Sequence, residues 1–180
     1  MAVPRGSSYI WSMIHVCSLA RLHATLEETR AQHVVTLLKQ IDLVAGPLPI
    51  PAGNHLHVGV DDIAEPIEGY IHPGDEHVAR LIAFVRQWER TAPMVVHCYA
   101  GISRSTAAAF IAACALRPER EEAGIAGAIR MASPTASPNR LLVALADRQL
   151  GRRGRMIEAL DRIGPGVFAS EGVPFRLDLA

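Results

Sequence analysis

The stretch Val95-Val96-His97-Cys98-Tyr99-Ala100-Gly101-Ile102-Ser103-Arg104-Ser105-Thr106 constrains this 180-residue chain more than any other. β-Branched residues lead to a cysteine, a small-residue loop follows, and Thr106-Ala107-Ala108-Ala109-Phe110-Ile111 is a strong helix former. The pattern predicts a strand, a tight loop and a helix N-terminus. A thiol stands where the loop begins and a guanidinium where it ends. A helix N-terminus presents unpaired N–H groups and the positive end of the helix dipole, which suits an anion. With Gly101 free to take an unusual backbone turn, the amides from Tyr99 and Ala100 through Ile102, Ser103 and Arg104 can curl into a nest around a tetrahedral oxyanion. Arg104 adds a bidentate fork matched to two phosphate oxygens. The same positive field favours thiolate over thiol at Cys98. A thiolate held beneath a bound phosphoryl group is a nucleophile aimed in line at phosphorus, so the implied chemistry is phosphoryl transfer.

His97-Cys98, five intervening residues and then Arg104-Ser105 resembles the H-C-x(5)-R-[ST] signature of the cysteine-dependent protein tyrosine phosphatases. The variant Ala100-Gly101-Ile102-Ser103-Arg104-Ser105 is most similar to the dual-specificity branch. Cysteine and arginine at this spacing also occur in rhodanese-like and arsenate-reductase-like loops. The preceding histidine, the central glycine, the following serine and the flanking strand and helix make the resemblance specific. It implies a phosphocysteine intermediate, with the Ser105 hydroxyl donating to the Cys98 sulfur as the thiolate departs. His97 is expected to hold the loop by hydrogen bonds, its side chain pointing away from that of Cys98. Pro138-Asn139 resembles a Pro-Asn pair of dual-specificity phosphatases, whose asparagine steadies the phosphate loop. The expected partners are a phosphorylated protein or peptide substrate, and phosphate, sulfate or vanadate as the site anion. No cofactor and no metal is expected, because the loop amides and Arg104 supply the charge stabilisation.

Expelling an alkoxide or phenoxide requires a proton from a carboxylic acid on another loop. Asp61 and Asp62 end a predicted strand and open a loop, and strand ends of a parallel sheet gather at one edge. In the phosphatase family a general-acid aspartate lies some thirty-odd residues before the signature; Asp62 precedes Cys98 by 36. Asp62 is the first choice and Asp61 the second, with loop capping as the other role open to either. Glu65 and Asp75 are weaker candidates.

The length suits one domain with a sizeable core. A formal net charge of zero argues against a nucleic-acid or membrane partner engaged by bulk electrostatics. No apolar run approaches the roughly 20 residues of a membrane span. Cys17, Cys98 and Cys114 make no disulfide framework, which fits a reduced, cytoplasmic compartment. Cys17 and Cys114 are expected in the core. His55, His57, His72 and His77 offer no closed ligand set for a metal. Lys39 is the only lysine, a usage associated with GC-rich bacterial genomes. Val3–Ser7 resembles a protease-site remnant and is set aside. Tyr99, Ile102 and Ser103 carry no extra positive charge, which departs from phosphoinositide phosphatases and favours phosphotyrosine, with phosphoserine or phosphothreonine. No deep tyrosine-recognition loop is evident, so a shallow site is expected. A small phosphorylated metabolite as substrate, and a phosphate-binding module that has lost turnover, are the alternatives.

Element by element, the pattern predicts strands at 9–16, 33–38, 55–60 and 93–97. Helices are expected over 25–32, from the Thr25–Glu28 capping box, and from Asp75 with Val78, Leu81, Ile82 and Val85 as its apolar stripe. Further helices should run to about Leu116, from Pro118 past Arg130, from a Ser137 cap to Leu150, and over 156–163. Arg152-Arg153-Gly154-Arg155 reads as a solvated helix end, and 175–179 as an edge strand. Strands interleaved with helices, then a run of helices, argue a single α/β domain. Its central, largely parallel sheet should hold about four to five strands flanked by helices. The resemblance makes that fold phosphatase-like, with 164–180 a C-terminal extension and everything from Gly151 to Ala180 unmatched to the family pattern.

Overall fold

A computed structural model describes residues 12–180. Five strands form one sheet: β1 (Met13–Ser18), β2 (His33–Leu37), β3 (His55–Val58), β4 (Met94–Cys98) and β5 (Phe175–Asp178). Their order is β3-β2-β4-β1-β5. The first four run parallel, and β5 closes the β1 edge antiparallel. Among the described residues six α-helices accompany them: α1 (Leu22–Thr29), α2 (Asp75–Gln87), α3 (Arg104–Leu116), α4 (Glu122–Ala132), α5 (Arg140–Gln149) and α6 (Arg155–Ile163). The single α/β domain and mostly parallel sheet are as expected. No helix among the described residues is long and apolar enough to cross a membrane.

The sheet is covered on both faces. Helix α1 packs on the face carrying Cys17, Val34 and Val95. Helices α2 to α6 pack on the face carrying Val16, Val35, Leu37 and Val96. Double burial is why β2 and β4 read as nearly continuous apolar runs instead of alternating. β5 does alternate: Phe175 and Leu177 are buried, Arg176 and Asp178 exposed. Helix α3 lies at the centre, buried from Ser105 to Cys114. Its alanines have the small volume that lets α2, α4, α5 and the sheet close around it.

Several boundaries differ from expectation, each through a tertiary contact. The first strand begins at Met13 among the described residues and runs to Ser18; Tyr9–Trp11 and Val3–Ser7 lie outside them. Thr25 does not cap a helix. It lies inside α1 and donates its hydroxyl to Arg21 O at 2.8 Å, because Leu22 and Leu26 are both drawn onto the sheet. That helix ends at Arg30 in the left-handed region, φ +57°, before the expected Gln32. Pro118 starts no helix. Arg120 N closes a turn on Arg117 O, and α4 begins at Glu122. Asn139, not Ser137, caps α5, its Oδ1 accepting from Leu142 N at 3.1 Å.

The Arg152–Arg155 run is solvated only in part: Arg153 and Arg155 are exposed at the start of α6, but Arg152 is not. The Arg152 guanidinium is buried, pairs with Glu122 at 2.8 Å and donates to Cys114 O. Arg155 joins the same carboxylate at 3.1 Å. Removing Glu122 would strand a buried charge at a cost of about 3–5 kcal/mol, so this network serves to lock α6 onto α3 and α4.

Candidate active site

Parallel strands end at one edge of the sheet, and there Ser18 of β1 is paired with Cys98 of β4. The loop 99–103 then carries the chain into α3. Its carbonyls are held from outside. Leu19 N donates to Tyr99 O (3.1 Å), Gly172 N to Ala100 O (2.8 Å), Ser137 N to Ile102 O (3.0 Å) and Asn139 N to Ser103 O (3.2 Å). Thr106 Oγ1 adds a second donor to Ile102 O and Ser103 O. In a trans peptide the C=O and the following N–H point opposite ways. Carbonyls turned out therefore turn the amides of Ala100, Gly101, Ser103 and Arg104 inward. One of them reaches the thiol: Gly101 N donates to Cys98 Sγ at 3.3 Å.

Gly101 has φ +71°, and a Cβ there would stand 2.7 Å from Ser18 N and 2.8 Å from Cys17 C. Both the backbone conformation and the space demand glycine. Cys98, at the floor of the loop, is 1% exposed, and its sulfur lies 3.2 Å from Ser105 Oγ. His97 faces the other side of the sheet. Its Nε2 meets Thr36 Oγ1 at 2.7 Å, and Thr36 Oγ1 meets His55 Nε2 at 2.8 Å. Burial pushes the His97 pKa down to about 4. The imidazole is therefore neutral at pH 7, bracing β4 against β2.

Arg104 is anchored by Nη1, which donates to Val60 O at 2.9 Å. Its Nε is buried without a partner, 4.0 Å from Asp62 Oδ2. Arg130 Nε, on α4, is likewise buried without a partner. Asp62 itself stands near the start of the loop that follows β3, its Oδ1 accepting from Ser103 Oγ (2.7 Å) and Asn139 Nδ2 (3.0 Å). Asn139 Nδ2 also donates to Ile63 O. The Asp62 loop, the phosphate-type loop and the α5 N-terminus thus share one set of hydrogen bonds.

Asp61 is occupied differently. Its Oδ2 accepts from Ile71 N at 2.7 Å and lies 3.4 Å from Lys39 Nζ, closing the 61–71 loop on itself. Asp75 is paired with Arg148 at the start of α2, and Glu65 is exposed on the loop after β3. Tyr99 is 66% exposed beside the loop. His57 Nε2 is taken by Leu38 O. Burial raises the Cys17 thiol to about 11 and the Cys114 thiol to about 12, so neither is poised as a resolving thiol. Sequence reasoning missed Thr36, Ser18, Glu171, Gly172 and the Val60 carbonyl. None lies in a motif, and each arrives by strand pairing or chain return.

Residues 70–133 match the family model for protein-tyrosine phosphatase. The match spans α2, β4, the loop, α3 and α4, about a third of the chain, and stops short of Asp62 and Asn139. No curated protein matches the chain. Among solved structures, DUSP15 is 18% identical, with a TM-score of 0.59 over 84% of this chain and 92% of that one. Human DUSP28 is 19% identical, with 0.58 over 78% and 89%. A mouse protein described as a dual specificity phosphatase, complexed with zinc tungstate, is 16% identical, with 0.58 over 88% and 97%. The fold is that of these dual-specificity phosphatases.

Proposed function

We propose that this chain, with a protein-tyrosine phosphatase segment set in a dual-specificity phosphatase fold, is a phosphate monoester hydrolase working through phosphocysteine. The observation that carries the reading is the loop itself: its carbonyls are tied outward so that its amides face in, Gly101 N donates to the Cys98 sulfur, and the Arg104 guanidinium stands beside them, anchored on Val60 O. Inward amides beside a guanidinium suit a tetrahedral oxyanion. Phosphate, sulfate or vanadate fits there. The tungstate carried by the mouse neighbour is an ion of the same shape.

In the first step Cys98 thiolate attacks phosphorus, the S–P bond forms and the P–O ester bond breaks. The leaving oxygen takes a proton from Asp62, whose loop Asn139 and Ser103 hold against the phosphate loop. In the second step water attacks the phosphocysteine, Asp62 accepts its proton, and the S–P bond breaks. Ser105 Oγ, 3.2 Å from the sulfur, donates to the departing thiolate. Asp61 closes its own loop through Ile71 and Lys39, which leaves Asp62 as the acid.

The substrate is a phosphorylated protein or peptide, phosphotyrosine first and phosphoserine or phosphothreonine beside it. The exposed Tyr99 ring supports an aromatic ester at the mouth, and the absence of lysine from 98–105 speaks against polyphosphorylated ligands. The test is hydrolysis of p-nitrophenyl phosphate and of phosphotyrosine, phosphoserine and phosphothreonine peptides in EDTA. Turnover should be blocked by vanadate and should fall by about 10³-fold or more in Cys98→Ser. Phosphate binding without any turnover would instead make this a binding module, and turnover restricted to small phosphorylated metabolites would overturn the protein-substrate reading.

A further inference from the structure

The segment 164–174, between α6 and β5, crosses back over the candidate phosphate loop and is fastened at both ends. At the near end the Arg130 guanidinium donates to Ile163 O (2.6 Å), Gly164 O (2.9 Å) and Ala136 O (2.8 Å), and Val167 N donates to Pro134 O at 2.9 Å. At the far end Gly172 N donates to Ala100 O (2.8 Å), while Glu171 Oε1 accepts from Ser18 Oγ (2.5 Å). Between the two, Val167 and Phe168 bow outward into solvent.

The far end grips the Ala100–Gly101 peptide. On one side of Gly101, an added Cβ would meet Ser18 N at 2.7 Å. On the other, Gly172 N holds Ala100 O, and a Cβ added at Gly172 would meet Gly101 O, in the next peptide, at 2.7 Å. The Ser18–Glu171 hydrogen bond links the two jaws. This matters because a peptide preceding glycine can rotate cheaply. Rotated, it would aim the Ala100 carbonyl instead of the Gly101 amide at the sulfur and at any anion above it, turning an attraction into a repulsion.

We propose that Gly172 and Glu171 are positioning residues of the active site, and that this C-terminal strap holds the Ala100–Gly101 peptide in its amide-inward orientation. The inference rests on the phosphate-ester reading above, but anion affinity tests it apart from turnover. The strap adds a wall to the loop that neither the H-C-x(5)-R-S motif nor the matched 70–133 segment contains.

The experiment measures inorganic phosphate binding by calorimetry, and kcat and KM for p-nitrophenyl phosphate, on the full chain and its variants. Gly172→Ala is expected to weaken phosphate binding and lower kcat/KM by about tenfold or more, as misplacing a binding group does. Glu171→Ala and Ser18→Ala should each weaken phosphate binding about threefold or more, and the double variant no further, because one hydrogen bond is lost in all three. Glu171→Gln, which still accepts from Ser18, should restore parent affinity. A folded Gly172→Ala with parent affinity overturns the proposal. If that variant does not fold, parent affinity in both Glu171→Ala and Ser18→Ala overturns it. A parent chain that binds phosphate without turning over esters sinks the hydrolase reading and leaves the strap to be read by affinity. One that binds no phosphate sinks both.

Discussion

Asn139 Nδ2 donates to Asp62 Oδ1 at 3.0 Å while Asn139 N donates to Ser103 O at 3.2 Å. One residue therefore ties the aspartate loop to the phosphate-type loop, and its Oδ1 caps α5 in the same place. The proposed proton donor and nucleophile are carried on segments 36 residues apart in sequence, so their relative position depends on such a cross-brace.

Asn139→Ala should remove the brace and the cap together. The cap alone is worth about 1 kcal/mol of stability. The expected activity signature is a fall in kcat of about tenfold with little change in phosphate affinity, since the role proposed for Asp62 is on the leaving group and not on the bound oxyanion. An unchanged kcat in a variant of lowered thermal midpoint would reduce Asn139 to a helix cap.

Asp62→Ala should lower kcat on phosphoserine and phosphothreonine peptides by about 10²–10⁴-fold and abolish the acid-dependent limb of the pH–rate profile. Asp61→Ala should keep that limb, losing activity only as the 61–71 loop loosens. Full activity in both variants would remove the carboxylate from the mechanism.

His97 ties stability to pH. Burial lowers its pKa from 6.5 to about 4 in the folded chain. Between those values the unfolded chain binds the proton and the folded one does not, so stability falls as pH drops through this window. The loss from His97 levels off below about pH 4 at no more than about 3 kcal/mol. Burial also lowers His15, His33 and His55, which act in the same direction. Denaturant titrations at pH 7, 6, 5 and 4 should show the decline, and His97→Asn should flatten it. A slope unchanged in that variant would place the effect elsewhere.

Alkylation separates the three thiols. Cys17 and Cys114, raised to about 11 and about 12 by burial, should resist iodoacetamide at pH 7 in the folded protein. Cys98 should be the residue modified, and vanadate should protect it. Mass-spectrometric labelling of Cys17 or Cys114 ahead of Cys98 would contradict the assignment of the nucleophile.

The local grammar of the chain settled a good deal. A β-branched run, then Cys98, Gly101 and Arg104, then alanines, specifies strand, loop and helix through short-range sterics and helix propensity. The catalytic candidates follow from that order. The stripe Val78–Val85, the loop after β3 and the alternation of Phe175–Asp178 were equally legible, because period and turn residues act within a few positions. What adjacency cannot encode came from packing. The start of α1 at Leu22, the burial of Arg152 on Glu122, the Asn139 brace and the separate duties of Asp61 and Asp62 all depend on partners ten or more residues away. The clearest case is the strap. Nothing in Glu171-Gly172 marks it as part of a site until β5 pairs with β1 and draws it across Ala100, since a hydrogen bond records distance in space and not along the chain.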